Sequence, residues 1–221
     1  SAMAGDTITL TRNMKAGYFF VRYTASTDVR WVGSDQFIMP EEAVEIGMET
    51  TVVKTIPFFD GFENGNVNDS TVSGWLQQSE TGSSIWFASH NGNNYNSAPF
   101  AGTWNAFLLY NNTCWLYNIF TLEAGVEYRI SMYARQSYSE GATIAAYLGD
   151  AVDKDAMTLN ILPQTNVIDG NYQHLTAVFS VPESKDYVLG IRGEKGHAYR
   201  FLVIDNISIT RNLPNEVHIT Q

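Results

Sequence analysis

Phe58-Phe59-Asp60-Gly61-Phe62-Glu63-Asn64-Gly65 divides the chain into two textures. Before it lies a short run of strand-like pieces. After it, strand follows strand as far as Phe201-Leu202-Val203-Ile204-Asp205-Asn206-Ile207-Ser208-Ile209-Thr210. Both pieces are rich in the aromatic and β-branched residues that suit a pleated surface. We read them as the first and last strands of one β-sandwich, which would bring Glu63 and Asp205 to one place.

The pieces between them support that reading. From Glu127 to Arg135, Tyr128, Ile130, Met132 and Ala134 face one way, and Arg129, Ser131, Tyr133 and Arg135 the other. That two-residue period belongs to a half-buried strand. Ser84 to Ser89 reads similarly, with Ile85 and Phe87 on one face and Trp86 and Ala88 on the other. Ala106–Tyr110, Cys114–Phe120, Thr143–Leu148, His174–Val181 and Tyr187–Arg192 are further strands. Asn91-Gly92-Asn93-Asn94 and Asp169-Gly170-Asn171 are turns between them. Asp153 to Thr158 suits one helical turn. Many short strands without a helical period predict an all-β fold, an antiparallel jelly-roll sandwich over 56–212. The tail is 213–221.

Upstream, Thr7–Thr11, Tyr18–Thr24, Trp31-Val32, Phe37–Met39 and Val44–Met48 form a small all-β module over 5–55, and 50–57 read as a linker closed by Pro57. A module this short is near the lower limit for independent stability.

Composition narrows the function. Charged residues are 16% of the chain and the net charge is −10. Nucleic-acid binding needs a basic face to neutralise phosphates, but Lys and Arg are scattered singly here. No apolar run reaches the ~20 residues of a membrane span. A polar surface built from Asn, Ser, Thr and Tyr suits an extracellular or cell-surface protein. Ser1-Ala2-Met3 looks like an expression remnant, so a signal peptide is expected to have been removed. The single cysteine, Cys114, reads as a core thiol, and the chain as a monomer. No His-Glu-x-x-His, Cys/His cluster or Gly-x-Ser-x-Gly elbow occurs, and no pattern pairs Glu123, Glu127 or Asp150 across a cleft. The expectation is therefore no enzyme.

Two resemblances add to this. Gly5-Asp6-Thr7-Ile8-Thr9-Leu10, Ala16-Gly17-Tyr18-Phe19-Phe20 and Phe37-Ile38-Met39-Pro40 resemble the divergent β-repeats of bacterial surface proteins, which implies a spacer without an active site. Phe59–Gly65, Gly74-Trp75, Leu122–Ser131, Tyr147-Leu148-Gly149, Phe179–Pro182, Tyr187–Arg192 and Ile204–Ile209 resemble the jelly-roll domains of bacterial cleaved adhesins, carbohydrate-binding modules and MAM-like domains.

That second resemblance implies a structural Ca²⁺ held by Glu63 and Asp205, with Asp60 and Asn206 as weaker candidates. The residues themselves leave two options. Asp205 lies by alternation on the face of Val203, Ile207 and Ile209, where a charge is costly unless paired or metal-bound. Alternatively, both carboxylates hydrogen-bond backbone amides. The ligand site is expected in the Asn-rich aromatic region, at Trp86, Tyr95, Trp104 and Asn94. There, flat rings would cover the C–H faces of a sugar and amides would bond its hydroxyls. The partner is thus a glycan; the alternative is a protein-binding or purely structural domain.

Overall fold

The computed structural model describes residues 2–90, 98–137, 141–168, 170–196 and 201–213. It divides into two compact units, Ser1–Val53 and Lys54–Gln221. The first holds β1 (Thr7–Thr9), β2 (Tyr18–Ala25), β3 (Arg30–Trp31), β4 (Gln36–Ile38) and β5 (Ile46–Lys54). Strands β1, β4 and β3 form one antiparallel sheet, and β2 pairs with β5. Buried Phe37 packs against Trp31, which stacks on Tyr23. Strand β5 runs to Lys54, through most of the stretch read as a linker. Its Thr-Thr-Val-Val run favours extended pairing over free coil.

The second unit is an antiparallel sandwich. Its strands are β6 (Phe58–Asp60), β7 (Leu76–Thr81), β8 (Trp86–His90), β9 (Trp104–Leu109), β10 (Asn112–Leu122), β11 (Tyr128–Gln136), β12 (Ala142–Gly149), β13 (Met157–Asn166), β14 (Gln173–Phe179), β15 (Lys185–Lys195) and β16 (Phe201–Arg211). One layer runs β13-β12-β15-β10-β7, and the other β14-β11-β16-β9-β8 with β6 also on β16. The first and last strands pair directly, Phe58 opposite Ile209 and Asp60 opposite Ile207. The core lies between the layers. Strand β10 sends Cys114, Leu116, Phe120 and Leu122 into it, β11 sends Tyr128, Ile130, Met132 and Ala134, and β15 sends Leu189 and Ile191. Desolvation in this core pushes the Cys114 thiol up to about 11.

Four local features depart from expectation. Strand β7, Leu-Gln-Gln-Ser-Glu-Thr, is too polar to announce itself. Strand β13 contains Pro163 but pairs only with β12 within this layer, and an edge tolerates proline's missing N–H. The helical turn at 153–158 shrinks to a 3₁₀ turn at Lys154–Ala156, capped by the Asp153 side chain, and Met157 already belongs to β13. The fourth concerns β16. Ser131 pairs with Ser208 but Tyr133 with Asp205, so two residues of β16 face one of β11. Asn206 takes φ +50° inside this bulge. Before it, Leu202 and Ile204 face the core; after it, Ile207 and Ile209 do. Asp205 therefore does not share the face of Ile207 and Ile209. The bulge turns it outward with Val203, as bulges commonly re-aim a side chain.

Candidate functional site

Two constellations stand out. The first is the carboxylate pair. Asp205, 0% exposed, accepts the backbone N–H of Phe100 at 2.7 Å and of Ala101 at 3.1 Å on Oδ2, and that of Asn206 at 2.7 Å on Oδ1. Glu63 accepts the N–H of Thr103 and of Trp104, both at 2.9 Å, on Oε1, and the Thr103 hydroxyl at 2.8 Å on Oε2. Asp205 on β16 and Glu63 in the loop after β6 thus clamp the segment 100–104 from two sides. Gly102 permits this: φ is +68°, and a Cβ there would overlap the Glu63 carboxylate. The clamp also seats Phe100, whose ring stacks 3.6 Å from that of Tyr133.

Burial pushes the Asp205 carboxyl up to about 6 against its three amide bonds, and the charge of Glu63 adds to the rise. For Glu63, burial acts upward too, but the amides of Trp104 and Thr103 and the Thr103 hydroxyl hold its carboxyl below the usual range. Among the described residues neither carboxylate forms a Lys or Arg ion pair. Backbone amides and the Thr103 hydroxyl thus engage every oxygen of the two carboxylates, which is the second of the two options the residues left open. Asp60 does not join them. Its Oδ1 accepts the N–H of Phe62 at 2.7 Å and its Oδ2 the indole N–H of Trp75 at 2.8 Å, so it braces the opening turn. The Asn206 amide sits against Gly61, where a Cβ would stand 2.9 Å from its Oδ1. Among the described residues no three His, Cys, Asp or Glu side chains are placed so that they could hold a metal ion together.

The expectation for Trp86 needs correction. Trp86 is 0% exposed, with its indole N–H donating to Cys114 O at 3.1 Å, so it is a core anchor and cannot meet a ligand from solvent. Both faces of β8 are apolar, and alternation alone cannot say which turns inward. Trp104 is half-buried, packs against the core and meets His90 edge-on at 4.8 Å. Tyr95 and Asn94 lie outside the described residues.

The second constellation is a cleft of about 260 Å³ on the first layer, lined by Glu80, Trp115, Tyr147, Lys154, Asp155, Met157 and Arg192. It lies on the face turned away from the core. Across the sheet Tyr117, Gly190 and Tyr147 form one row, and Trp115, Arg192 and Ala145 the next. Gly190 leaves room at the floor: a Cβ there would come within 3.0 Å of Trp115, 3.1 Å of Tyr117 and 2.6 Å of Met157. The Trp115 and Tyr117 rings lie parallel with centroids 6.0 Å apart, and Tyr147 tilts over Trp115 at 5.5 Å.

Polar groups fix the rim. Glu80 Oε2 accepts Trp115 Nε1 at 2.8 Å and Arg192 Nε at 2.9 Å, and Oε1 accepts Arg192 Nη2 at 3.1 Å. Arg192 Nη1 reaches Glu194 at 2.9 Å. The Arg192 guanidinium holds the Glu80 carboxyl below its ordinary value. Tyr117 donates its hydroxyl to Gln78 at 2.8 Å, and burial pushes that hydroxyl's pKa up. Trp115 and Tyr117 lie on the stretch Cys114–Phe120, which the sequence marks as a strand and not as part of the ligand site. Glu80, Tyr147 and Arg192 carried no signal, because they come from separate strands.

No family model matches the chain, and neither does any curated protein. Solved structures do. The K2 cleaved adhesin domain of Lys-gingipain aligns with a TM-score of 0.53 at 12% identity, covering 70% of this chain and 98% of that one. The TmCBM61 module in complex with β-1,4-galactotriose gives 0.49 at 17% identity, covering 69% and 94%. The Clostridium thermocellum xylanase 10B structure, CBM22-1 and GH10 modules with xylohexaose, gives 0.46 at 20% identity over 71% of this chain; the match spans 28% of that longer one. At such identities the likeness concerns the fold, a jelly-roll β-sandwich. The resemblance of 5–55 to surface repeats continues to rest on the residues quoted for it.

Proposed function

We propose that the unit 54–221 is a non-catalytic carbohydrate-binding module of a secreted or cell-surface protein, with the Glu80–Trp115–Tyr147–Arg192 cleft as its sugar site. One observation carries this reading. The half-buried Tyr147 ring and orientation-fixed polar groups converge in one cleft of about 260 Å³, and a ring face beside hydrogen-bonding groups suits a sugar's C–H face and hydroxyl rim. The half-buried Tyr147 ring, backed by buried Trp115 and Met157, offers surface for C–H groups, and Glu80, Glu194 and Asp155 offer acceptors for hydroxyls. Glycoside hydrolysis needs a carboxylic acid whose pKa is raised. Glu80 is shifted the opposite way by Arg192, which favours binding over catalysis.

The same reading includes a structural Ca²⁺ at Glu63 and Asp205, completed by carbonyl oxygens. The ion would neutralise two like charges and tie the first strand to the last.

A glycan array followed by titration calorimetry tests the sugar site. Tyr147→Ala, at a half-buried ring, should weaken binding by at least about tenfold, a loss of about 1.4 kcal/mol, with the melting transition retained. An array on which the wild-type chain binds nothing would overturn the reading.

A further inference from the structure

We infer that the cleft selects uncharged glycans and rejects acidic ones such as uronates. This rests on the reading of the cleft as a sugar site. Glu80 and Asp155 line it with Arg192 and Lys154, and two further carboxylates act on those cations, Glu194 on Arg192 and Asp153 on Lys154, so the groups there carry four negative charges against two positive. Both cations are already committed. Arg192 is held by Glu80 and Glu194, each at 2.9 Å. Lys154 Nζ lies 2.6 Å from Asp155. Charge-assisted bonds of this kind are strong, and freeing a guanidinium for a ligand carboxylate would strand two glutamates. Among the described residues both cations at the cleft already face carboxylates, so an anion entering it meets an excess of negative charge with little to compensate its lost hydration.

A hydroxyl meets the opposite situation. A carboxylate has about four lone-pair positions. Three donors occupy Glu80, two on Oε2 and one on Oε1, so Oε1 retains an acceptor position. Glu194 and Asp155 are more exposed and accept further hydroxyls. Neutral donors fit this rim, and acceptor-only anions do not.

The experiment uses the full chain and matched pairs differing only at C6: cellotriose against its β-1,4-glucuronate counterpart, mannotriose against trimannuronate, and methyl-esterified against free trigalacturonate. Calorimetry is run at low and at raised salt. For whichever stereochemistry binds, the neutral member should bind at least about tenfold tighter at low salt, the preference shrinking as salt screens the field. Asp155→Asn, on an exposed side chain, should narrow that ratio several-fold, because it removes one negative charge and releases Lys154. Equal or tighter binding of the acidic member would overturn the inference while leaving the sugar site standing. A ratio unchanged by Asp155→Asn and by salt would overturn its electrostatic cause. No binding by any member, together with a blank array, would overturn the sugar site itself.

Discussion

Gly193→Ala should destabilise the second unit through one identifiable collision. Gly193 lies on β15 opposite Cys114, on the face turned into the core. A Cβ there would overlap Trp86 Cζ2 outright, approach Cη2 to 2.8 Å and meet Leu202 Cδ2 at 3.2 Å. Trp86 has nowhere to withdraw, being fully buried and tethered by its indole N–H to Cys114 O. Overpacking of this kind costs about 1–3 kcal/mol, and the lower unfolded-state entropy of alanine returns about 0.4–1 kcal/mol. The net expectation is a loss of about 1.3 kcal/mol. At about 2–4 °C per kcal/mol for a unit of this size, the midpoint should fall by about 3–5 °C.

Urea unfolding followed by tryptophan fluorescence measures this, since four of the five tryptophans lie in the second unit. Trp86→Phe supplies the control. It removes the atoms that collide, so adding Gly193→Ala in that background should cost less than about 0.5 kcal/mol, giving a coupling of about 1–3 kcal/mol. An unchanged midpoint in Gly193→Ala, or strict additivity in the double variant, would refute the packing argument.

Three further outcomes are expected. If Ca²⁺ joins Glu63 and Asp205, chelator should lower the melting temperature; an ion present at 100 times its Kd contributes about 2.7 kcal/mol, and an identical melt with EDTA and with excess Ca²⁺ would count against the site. Glu80→Gln should cost about 1–2 kcal/mol at pH 7, because it breaks a largely shielded pair with Arg192. The folded pKa of Glu80 is depressed, so its contribution is complete above the unfolded value of about 4.3 and fades as pH falls through the folded value; the urea midpoints of the two proteins should draw together as pH falls below about 4.3, and a gap that does not shrink with acidification would contradict the pairing. Cys114, fully buried with its thiol raised to about 11, should resist alkylation at pH 8 until urea unfolds the chain; rapid labelling of the native protein would show that β10 is not closed over it.

Much of the fold was legible because alternation is a local property. The apolar set Tyr128, Ile130, Met132 and Ala134 lies on the core face of β11 as its period requires. The stretch Phe58–Asp60 and the closing segment are strands of the sandwich, as their texture indicated; that they pair directly with each other is what the fold adds. The aromatic character of Trp115 and Tyr117 was also visible before any fold was known.

Tertiary structure decided the rest. Trp86 and Phe87 occupy alternating positions on a strand with two apolar faces, and only the opposing layer, with the gap at Gly193, determines that Trp86 turns inward. The bulge at Asp205 and Asn206 inserts one residue against β11, a mismatch between two strands that neither contains alone. It moves Asp205 from the face predicted by counting to the loop that carries Phe100 and Ala101. The cleft is the strongest case. Glu80, Trp115, Tyr147 and Arg192 sit on four strands, and no short-range pattern links residues whose neighbourhood is created by strand order. The sequence by itself determined which residues share a face of a strand. Tertiary structure decided which face is buried and which side chains meet across strands, because those outcomes depend on the free energy of packing distant segments together.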